Sequence, residues 1–162
     1  MAVDDGFDPG TIWVDRGSMT TSRSPDPHGL PLVRTPAELE AVWRQLIEPL
    51  GFASRQIFAL LLDRDGVVLP SVLNVAECPA APDGPMVVNL ARSLRQALDD
   101  VDPDGSCAVL WARPSDAGTR ASDIAWIRAI TAAMSIQSLA SWPVHTADDA
   151  VLRVMSPDDL AA

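Results

Sequence analysis

The side chains best suited to chemistry lie in one stretch, VLWARPSDAGTRASDIAW, at residues 109–126. An apolar run ends at Arg113, a polar loop follows, and Asp123 stands where a helical pattern begins. A loop between a strand and a helix often carries binding and catalytic residues, because the rigid elements position them. The residue types suit three arrangements: a metal site, a phosphate site, or a loop held by its own contacts.

The composition of the loop disfavours a phosphate-binding loop and a serine nucleophile. Residues 114–121 contain Asp116 and a single glycine, Gly118, which does not fit the glycine pattern of a P-loop. Ser115 and Ser122 have no histidine nearby in the sequence that would activate a hydroxyl group. Neither a P-loop nor a serine hydrolase is therefore expected here.

Histidine and cysteine are scarce, and their spacing does not indicate a metal site. His28 lies in a segment rich in proline and glycine, and His145 falls late in a predicted strand, where we expect a surface or half-buried side chain. Cys78 and Cys107 are far apart and are expected to be two buried thiols, since no C-x-x-C or H-x-x-x-H pattern is present. A metal site rebuilt from these residues is disfavoured.

The first half of the fold follows from capping and periodicity. A capping box begins a helix at Thr35, Pro36 and Glu38, and apolar residues at helical spacing continue it to about residue 50. Apolar runs at residues 56–63 and 67–75 flank an Asp-Gly turn and predict a β-hairpin. Pro70 marks the second strand as an edge strand or as the site of a bulge.

The second half alternates helices and strands. It contains a second helix, a buried strand at 106–112, a third helix with Ser122 as N-cap, strands at 140–146 and 151–155, and a short helical turn from Ser156. The order α-β-β-α-β-α-β-β predicts an α/β (α+β) fold with a mixed sheet flanked by helices. Residues 35–162 are expected to form a single domain, preceded by a flexible leader at residues 1–34. For Thr11–Val14 the alternatives are a short strand, a docking segment or, slightly favoured, part of a mostly disordered leader.

Composition narrows the class of partner and the compartment. The net charge of −10 and the pI of about 4.4 disfavour nucleic acid and an anionic membrane as partners. The acidic N-terminal sequence does not resemble a signal peptide, and no apolar stretch approaches transmembrane length, so a cytoplasmic protein is expected. Lysine and tyrosine are absent while alanine, aspartate, arginine and proline are frequent, which indicates GC-rich coding typical of a high-GC bacterium.

The order of elements and the loop motif resemble the JAB/MPN fold (a cytidine-deaminase-like sandwich), and most closely its RadC-like branch. That family carries His-x-His-Pro-Ser-Gly, a loop of about seven residues, and Ser-x-x-Asp at a helix start. Here residues 111–116 read WARPSD, and Pro114, Ser115 and Asp123 match the motif, with one residue fewer before the aspartate. The hairpin FALLLDRDGVV is also similar, and the resemblance spans roughly residues 53–160.

The resemblance implies that a zinc hydrolase site has been lost. The two histidine ligands correspond to Trp111 and Arg113, the family's glutamate base falls near Pro70 or Ser71, and only the aspartate ligand, Asp123, is retained. Indole and guanidinium offer no lone pair to a metal, so no catalytic residue and no cofactor is expected. In place of the metal, we expect Arg113 to pair with Asp123 in a bidentate manner and Trp111 to fill the remaining space with apolar bulk.

Within the resembled family, members without these ligands typically serve as scaffolds. The first hypothesis is thus a non-catalytic interaction module that binds a protein partner or a second copy of itself. At least three of the five tryptophans are expected to be buried, and an exposed one would be a candidate anchor for a partner. The alternatives are a small anionic ligand or peptide bound in the vacated cleft at Pro114, Ser115, Asp116 and Arg120, or a hydrolase with a rebuilt site.

Overall fold

The computed structural model describes residues 29–161, in which four helices surround one five-stranded sheet. The predicted Thr11–Val14 segment and His28 lie outside the described residues. Among the described helices, none combines the length and the apolar content needed to cross a membrane. In chain order the elements are α1 Pro36–Ile47, β1 Gln56–Leu62, β2 Val68–Val75, α2 Gly84–Val101, β3 Ser106–Ala112, α3 Ala121–Ile136, β4 His145–Ala147, β5 Leu152–Val154 and α4 Pro157–Ala161.

The sheet is mixed, as the sequence predicts. Its spatial order is β2-β1-β3-β4-β5, with β3 and β4 parallel and every other neighbouring pair antiparallel. β3 is the central strand and is buried along residues 107–112, which explains its continuous apolar run. The residues that follow β3 therefore emerge at the middle of one end of the sheet.

Two apolar cores lie on opposite faces of the sheet. Because successive strand residues alternate in direction, Val109 and Trp111 of β3 pack with α2 and α3, whereas Leu110 packs on the other face with α1. Trp111 thus points toward the helix that carries Asp123. The same alternation directs the next odd residue, Arg113, toward that helix.

The start of α1 is confirmed in most of its detail. The Thr35 hydroxyl accepts a hydrogen bond from the Glu38 N–H at 3.2 Å, and Pro36 is the first helical residue. The Glu38 carboxylate accepts from the Arg34 N–H at 2.6 Å, one residue before the N-cap. The helix ends at Ile47, with Glu48 as C-cap, and is therefore slightly shorter than the predicted extent to about residue 50.

The packed part of the chain begins before Thr35, although the sequence predicted that the domain starts at this residue. Val33 is only 1% exposed and donates its N–H to the Gly66 carbonyl at 2.8 Å, while the Val68 N–H donates to the Pro31 carbonyl at 2.9 Å. The boundary at residue 34 was wrong because backbone bonds to the hairpin turn hold this proline-containing segment, and such tertiary contacts leave no periodic pattern.

Pro70 lies at a bulge on an edge strand, so both interpretations of this proline are confirmed. β2 pairs only with β1, and the register shifts between Leu60, opposite Val72, and Leu62, opposite Val68. Proline has no N–H to donate to a ladder, and the irregularity at this edge accommodates it.

The fourth strand is shorter than predicted. β4 covers His145–Ala147, and the residues before it reach β3 only through an isolated bridge between Ser141 and Cys107. Pro143 interrupts the ladder because it lacks an N–H group. β5 is likewise confined to Leu152–Val154, inside the predicted range.

The buried thiols are confirmed, whereas the position expected for His145 was wrong. Cys78 and Cys107 are both buried and unpaired. His145 is 0% exposed, because it lies between β3 and β5, opposite Leu110 and Val154. Its Nδ1 lies 3.2 Å from the Pro143 carbonyl, and within residues 29–161 its Nε2 has no hydrogen-bond partner.

Burial makes His145 a source of acid sensitivity. Desolvation lowers the pKa of His145 below its ordinary 6.5, against smaller opposing effects of the Pro143 carbonyl and the Glu40 carboxylate. Below pH 6.5 the unfolded chain takes up a proton that the folded chain excludes. The free energy of unfolding therefore decreases as the pH is lowered from 6.5 to the pKa of His145 in the folded chain. We predict a loss of about 1.4 kcal/mol per pH unit in that window.

Chemical denaturation between pH 5 and pH 7 measures this effect. The His145→Gln variant should show a flatter profile than the parent chain, because glutamine takes up no proton in this range. Equal slopes in the parent chain and His145→Gln would contradict the assignment.

Gly66 secures the contact between the N-terminal segment and the hairpin. Its φ of +85° suits glycine, and a Cβ atom would stand 2.3 Å from the Val33 carbonyl oxygen. We predict that Gly66→Ala lowers the free energy of unfolding by about 2–4 kcal/mol, from backbone strain together with this clash. The control is Gly29→Ala, where φ is +75° with no atom within 4 Å, and where about 1 kcal/mol is expected. Similar costs for the two variants in thermal or denaturant unfolding would refute the clash.

Candidate functional site

The candidate site lies where β3 ends and α3 begins. Trp111 and Arg113 are two residues apart at the end of β3, and Asp123 is in the first turn of α3. The Arg113 N–H donates to the Ala147 carbonyl at 3.1 Å, which extends the β3–β4 pairing by one residue. Strand pairing therefore fixes the backbone that presents the guanidinium.

Four hydrogen bonds converge on the Asp123 carboxylate. Oδ1 accepts from Trp111 Nε1 at 2.9 Å and from Arg113 Nε at 2.7 Å. Oδ2 accepts from Arg113 Nη2 at 2.9 Å and from the Arg120 N–H at 2.7 Å. The predicted bidentate pair is thus present, but Trp111 is an N–H donor as well as apolar bulk. Since a carboxylate offers about four lone-pair sites, all of them are used.

The ion pair is almost completely removed from solvent. Arg113 is 5% exposed and Asp123 is 3% exposed. Burial by itself would raise the pKa of the Asp123 carboxyl, but hydrogen bonds from Arg113, Trp111 and Arg120 together hold that pKa below its ordinary value. Asp123 is therefore an anion that the protein itself neutralises, and it is not a candidate proton donor or general base.

The rest of the guanidinium organises the loop. Arg113 Nη2 also donates to the Gly118 carbonyl, and Nη1 donates to the Pro114 carbonyl at 3.3 Å. These contacts fold the segment between Pro114 and Gly118 around one side chain. Because the donors of arginine have a fixed planar geometry, they define the path of the loop as well as its charge.

Aromatic stacking holds the Trp111 ring in place. Its centroid lies 4.7 Å from that of Trp126, with 18° between the planes, and Trp126 Nε1 donates to the Pro79 carbonyl at 3.2 Å. Both rings are buried. The orientation of the Trp111 N–H toward Asp123 is therefore set by α3, the element that also carries the acceptor.

The N-cap of α3 differs from the prediction. Helix α3 begins at Ala121 with Arg120 as N-cap, whereas Ser122 was expected in that role and is instead exposed within the first turn. The cause is Asp123, whose side chain accepts the Arg120 N–H and so supplies the cap from the third helical position.

A second aspartate ties the loop to its surroundings. Asp149 Oδ2 accepts from the Ser115 N–H at 2.7 Å and Oδ1 accepts from the Phe52 N–H at 2.9 Å, while the Asp149 N–H donates to the Ser115 carbonyl at 3.0 Å. Ser115 has a φ of +118°, a left-handed backbone that these bonds support. The sequence indicated only a turn at Asp149, and no local signal connects it to Ser115.

Two cavities adjoin the ion pair. A space of about 10 Å³, with room for about one water molecule, lies between the pair and the β4–β5 turn. A larger cleft of about 410 Å³ opens on the other side, lined by Ala53, Ser54, Arg55, Glu77, Cys78, Arg113, Pro114 and Arg120.

Only some of the residues expected to bind a ligand line the larger cleft. Pro114 and Arg120 line the larger cleft, whereas Ser115 and the exposed Asp116 do not. Sequence reasoning missed Arg55 and Glu77 on the cleft wall. The signal for Arg55 was available in principle, because β1 and β3 are antiparallel and Gln56 lies opposite Ala112, which places Arg55 beside Arg113.

The donors present do not suit a zinc ion. The Trp111 and Arg113 groups that face Asp123 donate hydrogen bonds and have no lone pair to share, and the Asp123 oxygens are fully engaged. Pro70 and Ser71, which the sequence resemblance set near the family's glutamate, are exposed on the edge strand β2 and line neither cavity. Within residues 29–161, no group of three or more His, Cys, Asp or Glu side chains is arranged to hold a metal.

No family model, curated protein or solved structure matches this chain.

The ion pair gives a direct test by truncation. Arg113→Ala leaves the Asp123 carboxylate buried without its main partner, so the free energy of unfolding should fall by about 3–5 kcal/mol. The control is Arg44→Ala, which breaks exposed pairs with Glu40 and Glu48 on α1 and should cost less than about 1 kcal/mol. Denaturant titration measures both variants. A cost for Arg113→Ala no greater than that for Arg44→Ala would show that Asp123 is solvated.

Proposed function

We propose that this chain is a non-catalytic JAB/MPN-like domain of the RadC-like branch that acts as a protein-interaction or scaffold module. One observation carries the proposal: four hydrogen bonds from Trp111, Arg113 and Arg120 occupy the Asp123 carboxylate. The three positions that would correspond to two histidine ligands and one aspartate ligand adjoin one another at the end of the central strand. Their convergence supports the motif alignment, and their chemistry argues against an activated water.

A hydrolase rebuilt from other residues receives little support. His145 lies on the face of the sheet that packs with α1, opposite to the face of Trp111. Cys107 is buried in the other core, and burial raises the pKa of its thiol to about 12, which keeps it protonated and a poor ligand. The space of about 10 Å³ beside Trp111 and Asp123 has room for about one water molecule and is too small for an anionic ligand or peptide. Pro114 and Arg120, two of the residues expected to bind such a ligand, line the larger cleft instead.

Exposed apolar side chains provide some support for a protein partner. Val101 ends α2 with 62% of its surface exposed, and Ile136 ends α3 with 77% exposed. Tryptophan anchors are less favoured, because Trp43, Trp111 and Trp126 are buried, as expected. Trp142 is half-buried and donates to Ser106 Oγ at 3.1 Å. A second copy of the chain is the simplest partner, since symmetric dimers are the commonest assemblies.

Restoring the ligands tests the alignment with the JAB/MPN motif. The double variant Trp111→His and Arg113→His would place two imidazoles beside Asp123, completing the three ligands that a catalytic zinc site requires. We predict that the parent chain takes up no stoichiometric zinc, whereas the double variant binds about one zinc ion per chain. Calorimetry with zinc chloride and metal analysis after dialysis measure this.

The control is the triple variant that adds Asp123→Asn, which should lose the bound zinc because the anionic ligand is removed. Circular dichroism establishes that each variant is folded before titration. A folded double variant that binds no zinc would contradict the alignment, and stoichiometric zinc in the parent chain would contradict the loss of the site.

A monomer at all concentrations on a sizing column would exclude the homodimer.

A further inference from the structure

The larger cleft beside the ion pair contains arginines that no carboxylate neutralises. Arg55 is exposed, and within residues 29–161 its guanidinium has no hydrogen-bond or ion-pair partner. Arg120, also exposed, makes one side-chain contact there, from Nη2 to Ser115 Oγ at 2.9 Å. Each guanidinium has five N–H donors, so most of the donors in this cleft remain available.

The chain has a net charge of −10, with 22 acidic residues and 12 arginines. Within the described residues, Arg44, Arg64 and Arg95 form ion pairs outside the cleft, and Arg113 at the cleft wall pairs with Asp123. Arg55 and Arg120 form no ion pair in that part of the chain, so the cleft keeps their positive charge.

The strand register brings the cationic groups together. Gln56 pairs with Ala112, so Arg55 at the start of β1 lies beside Arg113 at the end of β3. Arg55 also precedes Ile57 by two residues, which places it on the face of the sheet that packs with α3. Arg120, the N-cap of α3, lines the same cleft.

The Arg120 side of the cleft is held in position before any ligand binds. Its backbone N–H is fixed by Asp123 at 2.7 Å, and its guanidinium is fixed by Ser115, which Asp149 holds in turn. Arg113 has used four of its donors on Asp123, Gly118 and Pro114, which leaves one N–H at the cleft wall. A ligand would meet a partly preorganised set of donors, which lowers the entropic cost of binding.

We propose that this cleft is a binding site for one oxyanion group, a phosphate or a carboxylate, held between the guanidinium groups of Arg55 and Arg120. Planar guanidinium donors match both groups in bidentate geometry. The volume of about 410 Å³ is large enough for a small molecule that carries the anion. The site goes beyond the proposed scaffold function and does not depend on it, because neither Arg55 nor Arg120 belongs to the vestigial zinc positions.

Glu77 limits the charge that the cleft accepts. It lines the same wall with a φ of +57°, and its N–H donates to Ser54 Oγ at 3.2 Å. Its carboxylate repels an anion and so weakens anion binding in the cleft. Removal of this charge should strengthen binding, which is the opposite of the effect expected when either arginine is removed.

Isothermal titration calorimetry at low ionic strength tests the site with inorganic phosphate in one arm and glutarate in the other. Sodium chloride at matched ionic strength corrects for screening. We predict saturable binding in at least one arm, weakened about tenfold or more in Arg55→Gln and in Arg120→Gln, because each variant loses a charge-assisted hydrogen bond. Glu77→Gln should bind severalfold more tightly, and Arg92→Gln, an exposed arginine on α2, should bind as the parent chain does.

Every outcome of this experiment is decisive. Binding of phosphate alone or of glutarate alone supports the site and identifies the anion, and binding of both supports the shared chemistry. Absence of saturable binding in both arms overturns the proposal. So does binding that persists unchanged in Arg55→Gln and Arg120→Gln, since the anion would then lie elsewhere. Both variants change exposed side chains, and unchanged unfolding transitions establish that they are folded.

Discussion

The structure of the site depends on one constraint: the buried Asp123 carboxylate must be fully hydrogen bonded. A carboxylate that is 3% exposed is costly to leave unpaired, and its four donors come from the end of β3 and from the start of α3. Satisfying them fixes the Trp111 ring, the Arg113 guanidinium and the N-cap of α3 together. The path of the loop between β3 and α3 follows from these requirements.

The same pairing organises the site more than it stabilises the fold. The attraction within a buried ion pair is largely offset by the desolvation of both ions, so its net contribution can be close to zero. The pair does fix the geometry of the site, because the Arg113 guanidinium aligns with the Asp123 oxygens. Its remaining donors bind the Gly118 and Pro114 carbonyls. Arg120 supplies only its backbone N–H to Asp123, and its guanidinium, which makes one hydrogen bond to Ser115 Oγ, lines the neighbouring cleft.

Local sequence patterns predicted the structural features that depend on residues close to one another in the sequence. The cap at Thr35, the buried run of β3, the proline at the edge and the Arg113–Asp123 pair all follow from short spacings or from the motif. The burial of His145, the role of Asp149 and the position of Arg55 depend instead on strand register and on the packing of distant segments. The N-cap of α3 was misplaced because the competing acceptor, Asp123, lies inside the helix.

Under the proposed JAB/MPN-like assignment, a guanidinium at the position of a metal would also change the charge that the site presents to its surroundings. A zinc ion held by two neutral imidazoles and one carboxylate carries a net charge of +1, whereas the Arg113–Asp123 pair is neutral. Beside this neutral pair, the charged side chains that line the adjoining cleft are Arg55, Arg120 and Glu77. The proposed absence of metal chemistry at one position and the proposed anion site beside it are therefore compatible, because separate side chains would determine the two properties.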